Sequence, residues 1–485
     1  MMTRSSLYYW LFFLVPLFYF LSLPHFYPDV DIWLAQGLAI LKHGTLFPPE
    51  EHIIGPVSQM IYPSWGASLL YALIYKLFSP WGREFLDLFH KLILVGLLSI
   101  FYFKNLRQLR SPWSKGNLFF VALAIFGFSY MFVDRPAFLA LVPFLLFYYE
   151  LEKKLSWNWK KYLTSFLVAV LWINIHGSAL IVLPMTGWLL LTSSWKEKKY
   201  YLFLAPLLIL ALLCNPFGYH IFSYGLETAQ VSSSRFIGEW SSPFKFLFPA
   251  NDIAYFSYLL IFVFLLFKKR RFDILKSTVF PLTFLGLTAE RHIVLAFLLI
   301  IPTWIKEGEA EDSKTTKSSS YLNLSLVSLL LLFIFLLNPF SRFQFLENFP
   351  ARKARYSLVK QYPRDSVSMI KDCKFQGPIL SSLELGGWLQ LETTNKVLFD
   401  ARNIIFPEKS FTDFRHILLG EEGWEKVLND YGFDLILLTL EDAKLLEMKM
   451  SSTSEWTILK KETLYTLFGR KALKERCQKI SEQNF

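Results

Sequence analysis

The stretch "FYPDVDIWLAQG", residues 26–37, sets two carboxylates, Asp29 and Asp31, directly after a strongly apolar segment. Asp31 precedes "IWLAQGLAILKHG", whose apolar residues recur at helical spacing and which Gly44 can close, so Asp31 is expected at the N-cap of that helix. A cap fixes a carboxylate in place, and a fixed carboxylate can act as a general base. Asp29 is either a second acid of the same site or a solvated loop residue, and the solvated reading is preferred. Other ionisable residues stand where apolar runs end: Asp134 and Arg135 in "DRP", His176 in "NIHG", His220 in "NPFGYH", Glu239 in "EWSSP", and Glu290, Arg291 and His292 in "ERH". Singly, each has an ordinary explanation. Asp134 can pair with Arg135, and a histidine at a helix end is usually a satisfied polar residue. Ionisable groups at the rim of a hydrocarbon layer are functional candidates all the same.

The elements that must position these residues are apolar. The chain has 485 residues, 53% hydrophobic and 18% aromatic. Runs of membrane-spanning length recur through the first 340 residues, which predicts a polytopic α-helical membrane protein. Spans are expected at 7–23, 85–103, 117–133, 136–151, 160–175, 177–192, 200–216, 251–267, 274–289, 291–306 and 321–338. No small-residue cleavage site follows the first, which reads as a retained anchor. The stretch 61–78, "IYPSWGASLLYALIYKLF", is a twelfth candidate, and loop charge arbitrates. If 61–78 lies along the outer surface, the basic loops 104–116, 150–161, 195–199 and 268–272 and the polar loop 306–317 all fall inside. That predicts about eleven spans, with the N-terminus cytoplasmic and the C-terminus outside. The formal charge of +11 then belongs to cytoplasmic loops and calls for no nucleic-acid partner. The candidate residues collect on the outer face.

From about Phe340 the composition changes. Residues 1–339 form the membrane domain, with an outer loop at 24–84 carrying juxtamembrane helices. A basic connector covers 340–370, and 371–485 read as a small α/β domain and tail. Its β-like runs are "GPILSS" (377–382), "KVLFDAR" (396–402) and "FDLILL" (433–438), separated by helix-like stretches such as "EEGWEKVLNDYG" (421–432). Asp400 and Arg402 can pair structurally, "LGGWL" reads as a close-packed turn, and no nucleophile–base set emerges. The domain is therefore expected to be an accessory element. The three cysteines, Cys214, Cys373 and Cys477, have no metal-ligand spacing. A Cys373–Cys477 disulfide is open to an extracytoplasmic domain, with free thiols the preferred reading. A transporter is disfavoured by the absence of a fixed-period repeat and by ionisable residues at the rim instead of mid-membrane.

"PDVDIWLAQGLAILKHG" resembles the first outer loop of the GT-C superfamily of membrane glycosyltransferases, in which an acid after the first span precedes a surface helix. "YPSWGASLLYALIYKLF" resembles a further juxtamembrane helix of that superfamily. More narrowly, the chain resembles a bacterial family of largely uncharacterised GT-C-like proteins. The matching stretches include "DIWLAQGLAILKHG", "RPAFLAL", "WINIHGSAL", "CNPFGYHIF", "GEWSSP", "ERHIVLAF", "LGGWL", "KVLFDAR" and "GWEKVLNDYGFDLILL", from about residue 25 to 470. The family's histidine shortly after the aspartate–tryptophan pair is Ala35 here. The resemblance implies a GT-C-like protein of the bacterial inner membrane with an extracytoplasmic C-terminal domain. It implies an inverting transferase that moves a sugar from a polyprenyl-phosphate-linked donor to an acceptor glycan, lipid or protein at the outer face. Asp31 is the acid/base position it carries over, with Asp29 and Asp134 as further acidic candidates. Arg135, His176, His220, Glu239, Arg291 and His292 are the substrate-binding candidates. Some members use a divalent metal between acids and others use none, and the sequence does not choose. The rival reading is a non-catalytic scaffold or assembly partner that keeps the same fold in envelope glycan biosynthesis.

Overall fold

Pro28 has no amide hydrogen to donate, which suits the first position of a helix, and helix α1 runs Pro28–His43. It closes at Gly44, whose φ is 66° and whose N–H reaches the Ile40 carbonyl at 2.9 Å, the glycine end that the sequence predicts. The start differs from expectation. Because the helix begins at Pro28, Asp31 sits inside the first turn and is not its N-cap. Carboxylates are also favoured there by the helix dipole.

The computed structural model describes residues 28–55, 63–106, 136–152, 158–234, 277–288, 292, 295, 296, 299, and 362–475 apart from 401, 403, 404, 452 and 454. The expected spans at 7–23, 117–133, 251–267 and 321–338 lie outside these residues, as does most of 291–306. The chain divides into two compact units. One comprises Met1–Leu23 with Phe85–Leu346, and the other Pro24–Glu84 with Glu347–Phe485. The loop after the first expected span thus belongs with the C-terminal residues.

Helix α2, Trp65–Leu77, arises where the sequence predicts an interfacial helix, and α3 follows at Gly82–Leu106. In the first unit come α4 (Pro136–Leu139), α5 (Leu141–Glu152) and α6 (Trp159–Ile175). A 3-10 turn at Gly177–Ile181 leads into α7 (Val182–Thr192), followed by α8 (Trp195–Leu213), α9 (His220–Ser234) and α10 (Val279–Thr288). Helix α6 buries Ser165, Val168, Ala169, Trp172 and Ile173. The Trp172 ring lies 5.7 Å from Phe144 and 6.3 Å from Phe147 of α5, centroid to centroid. On its opposite side Leu163, Leu167 and Leu171, spaced by four residues, stay exposed. Among the described residues no helix is long and apolar enough to cross a membrane. The two longest, α3 with 25 residues and α8 with 19, contain clusters of charged residues, such as Lys196–Lys199 in α8.

In the second unit, α11 (Arg364–Asp372) precedes β1 (Ile379–Ser381), a 3-10 turn at Leu383–Leu385 and α12 (Gly386–Glu392). After these come α13 (Glu408–Leu419), α14 (Trp424–Tyr431), β2 (Leu435–Thr439), α15 (Leu440–Ser451), β3 (Trp456–Lys461) and β4 (Tyr465–Arg470). The sheet order is β1-β2-β4-β3, with β1 parallel to β2 and the remaining pairs antiparallel. Leu435–Leu438 are all buried, as befits a strand covered on both faces. The described residues of 396–402 form no strand. Val397 makes isolated parallel bridges to Ile379 and to Ile53, so the 24–84 loop adds to this sheet edge. Residues 456–470 form a hairpin, which is not among the β-like runs expected from the sequence.

Candidate functional site

The position of Asp31 is set by close backbone approaches on two sides of α1. Gly37 faces α2, where a Cβ would lie 1.9 Å from the Ser68 carbonyl oxygen. Only glycine permits that crossing, and Ala67, Ser68 and Ala72 are the small buried residues opposite. On the C-terminal side, a Cβ on Gly386 would lie 1.9 Å from the Phe399 carbonyl oxygen. A Cβ on Gly387 would lie 2.7 Å from the Ile32 backbone nitrogen. "LGGWL" is therefore close-packed, as expected, but it opens a helix instead of forming a simple turn.

Around Asp31, which is fully buried, three residues converge. The Tyr362 hydroxyl donates a short hydrogen bond to Oδ2. Arg83 Nη2 lies 3.5 Å from Oδ1 and 3.2 Å from Glu392 Oε1, and so bridges the two carboxylates. Glu392 Oε2 is held in turn by Lys371 Nζ at 3.1 Å. The Tyr362 ring stacks on Trp388 at 4.7 Å with an interplanar angle of 20°. The Arg83 guanidinium carbon is 5.5 Å from the Tyr362 ring centroid. Arg83 and Glu392 each keep 31% of their side chains exposed, against 1% for Asp31.

Burial pushes the Asp31 carboxyl up from an ordinary 3.8 to about 6, with Arg83 and the Tyr362 hydrogen bond pulling it down and Glu392 raising it further. Burial alone would lower the Arg83 pKa, but Asp31, Tyr362, Glu392 and Tyr75 hold it above its usual range. The Tyr362 hydroxyl is pushed well up by burial and by the neighbouring Asp31 charge, so it remains a donor. The result is a carboxyl poised near neutrality beside a fixed cation. Such a group can take a proton from a hydroxyl, and the cation can receive a phosphate.

A second polar cluster braces the same unit. Arg402, with no exposed side-chain area, bonds Asp400 Oδ2 at 2.6 Å and Glu50 through Nη1–Oε1 at 2.6 Å and Nη2–Oε2 at 2.8 Å. Its Nη1 also reaches Gln36 Oε1 at 2.9 Å, while Gln390 Nε2 donates to Asp400 at 2.9 Å. The structural pairing of Asp400 with Arg402 predicted from "KVLFDAR" is present, and Glu50 and Gln36 join it.

Three other sequence candidates, His176, His220 and His292, are described within the first unit. His176 ends α6, and its Nδ1 accepts the Ser178 N–H at 3.0 Å, the satisfied helix-end role. His220 opens α9, its ring 4.1 Å from Tyr219, and the His292 Nδ1 meets the Leu285 carbonyl at 3.3 Å. Asp29 lies in α1, but its side chain is outside the description. Asp134, Arg135, Glu239, Glu290 and Arg291 are also outside the described residues. Arg83, Tyr362 and Glu392 were not singled out by sequence. The one local signal was Arg83 in "PWGREF", a cation at the start of an apolar run. Among the described residues no group of three His, Cys, Asp or Glu could hold a metal ion. Cys373 is disulfide-bonded, against the free thiol preferred from sequence, and Cys214 is free.

No protein-family model matches the chain, and no curated protein matches its sequence. Among solved structures, its fold is similar to that of the Archaeoglobus fulgidus oligosaccharyltransferase tethered with an acceptor peptide containing the NVT sequon via a disulfide bond. The TM-score is 0.51 at 10% identity, over 90% of this chain and 69% of that one. The apo form of the same enzyme gives 0.49 at 10% identity, over 89% and 69%. At such identity the likeness is one of fold.

Proposed function

We propose that the protein is a GT-C-type membrane glycosyltransferase that takes a sugar from a polyprenyl-phosphate donor, with Asp31 as base and Arg83 as phosphate partner. The observation that carries this reading is the buried Asp31 carboxyl, poised near pH 6 beside a guanidinium. Similarity of fold to an oligosaccharyltransferase supports the class. The acceptor hydroxyl gives its proton to Asp31 Oδ1 as its oxygen bonds to the anomeric carbon. The bond from that carbon to the phosphate oxygen breaks, and its electron pair leaves with the lipid phosphate. This single displacement inverts the anomeric centre. Arg83, the more exposed partner, exchanges Asp31 and Glu392 for the phosphate and stabilises its growing charge.

We place this chemistry at the outer face of a bacterial plasma membrane, with about eleven spans, the N-terminus cytoplasmic and the C-terminal domain outside. Basic loops on one side support that orientation. So does the Cys373 disulfide, since disulfides persist in oxidising compartments. The exposed leucine ridge of α6 suits contact with lipid. A reporter active only in the cytoplasm, fused after Phe485, should be silent.

One observation favours a non-catalytic scaffold: Asp31 has no solvent exposure in this state. Purified protein incubated with a panel of polyprenyl-phosphate sugars separates the two readings. The transferase reading expects one donor to be consumed, with Asp31→Asn slower by roughly 10²–10⁴-fold. Consumption of none would favour the scaffold, and equal consumption by Asp31→Asn would leave the transferase reading but remove Asp31 as its base.

A further inference from the structure

The two oxygens of Asp31 have unequal surroundings. Oδ2 accepts the Tyr362 hydroxyl, while Oδ1 is buried without a hydrogen-bond partner and has Arg83 Nη2 at 3.5 Å. Carboxylate oxygens are equivalent in water, so the surroundings impose the difference. Tyr362 is itself held, by its stack on Trp388 and by Pro363, which restricts the backbone of the residue before it.

We propose that Tyr362 is the positioning residue of Asp31: it fixes Oδ2 so that Oδ1, beside Arg83, is the oxygen presented to substrate. What Oδ1 then does rests on the transferase reading, whereas the hydrogen bond belongs to the resting protein. The charged and titratable groups facing Asp31 are Arg83 of α3, Tyr362 ahead of α11, and Glu392 at the end of α12. Beyond them, Tyr75 of α2 acts on Arg83, Tyr465 of β4 acts on Tyr362, and Lys371 of α11 holds Glu392. Arg83 and Tyr362 favour the carboxylate, while burial and Glu392 oppose it. Among the described residues, Tyr362 alone does so through a hydrogen bond to Asp31. A hydroxyl donating to a carboxylate stabilises its charged form. Tyr362 therefore keeps Asp31 a base at lower pH than burial alone would allow.

The full chain in detergent, titrated by infrared difference spectroscopy with Asp31→Asn as the blank, isolates this carboxyl. Tyr362→Phe should move its midpoint upward by roughly one to two pH units, the worth of a hydrogen bond to a charged group. 3-Fluorotyrosine incorporated at position 362 keeps the shape and makes a stronger donor, so it should move the midpoint down. It also keeps the test decisive if Tyr362→Phe folds poorly. With a polyprenyl-phosphate sugar as donor, the acid limb of the rate profile should follow the same shifts. At pH 6, Tyr362→Phe should be about tenfold slower, in proportion to the carboxylate lost, and should recover at higher pH. A purely structural role would lower the rate equally at every pH. Unchanged midpoints in both substituted proteins would overturn the proposal. Absence of transfer by every form would overturn the transferase reading, and the titration would still decide the role of Tyr362.

Discussion

Gly387 lies against the backbone of Ile32, the residue that follows Asp31, so closely that a Cβ there would stand 2.7 Å from the Ile32 nitrogen. The fit of α12 against the start of α1 thus sets where the carboxyl is held.

Gly387→Ala must push α1 and α12 apart, because the obstructing atoms are backbone and cannot swing aside. The expected cost is about 1–3 kcal/mol, the usual range for overpacking, with a loss of any activity that depends on Asp31. Gly96→Ala is the control, since among the described residues nothing lies within 4 Å of its Cβ position in α3. It should be neutral or stabilising by up to about 1 kcal/mol. Thermal unfolding of the two purified proteins makes the comparison, and equal midpoints would contradict the close approach.

The Asp31 carboxyl titrates at about 6 in the folded chain against 3.8 ordinarily, so folding favours its protonated form. Its contribution to stability is present below about pH 4 and is lost as pH rises through 6. A shift of about two units corresponds to about 3 kcal/mol. Asp31→Asn should flatten the stability profile between those limits. The charged form that transfer requires is the one the fold disfavours, so activity should rise over the pH range in which stability falls. Profiles of the wild type and Asp31→Asn with the same slope would refute this.

Arg402 pairs with both Asp400 and Glu50 in a site with no exposed arginine surface. Arg402→Met keeps much of the volume but strands a buried carboxylate, for an expected loss of about 3–5 kcal/mol. Glu50→Gln, where the side chain is 21% exposed and Asp400 still pairs with Arg402, should cost far less. Unfolding midpoints in that order are the check. A harmless Arg402→Met would mean that the cluster contributes little to joining the 24–84 loop to the sheet.

Cys214 is exposed and free, and Cys373 is disulfide-bonded. A maleimide should label Cys214 of the untreated protein and reach Cys373 only after reduction and unfolding. Mass mapping of the labelled peptides reads the result directly. Labelling of Cys373 without reductant would remove the redox argument for an extracytoplasmic domain.

Much of this was legible along the chain. Apolar periodicity gave α1, α2 and α6, Gly44 gave the end of α1, and the aspartate of "DIW" drew attention to the residue that is buried at the centre of the cluster. Local signals failed where partners are distant. Tyr362 lies within the basic connector expected at 340–370, and nothing near it in sequence announces a bond to Asp31. The β3–β4 hairpin was missed because its turn, Glu462–Leu464, lacks the Gly or Asn that usually marks one. "KVLFDAR" reads as a strand from its apolar run, but its bridges at Val397 are isolated and one of them comes from Ile53.

The bond from Tyr362 to Asp31 joins residues 331 apart, and that from Arg402 to Glu50 joins residues 352 apart. A ribosome adding about 5–20 residues per second takes roughly 20–70 s to cover such a distance. Through that interval α1 has been made, while the hydroxyl that holds its carboxyl has not. A nascent chain stalled before residue 362 therefore carries Asp31 without its oriented partner, and the order of synthesis itself delays the assembly of the site.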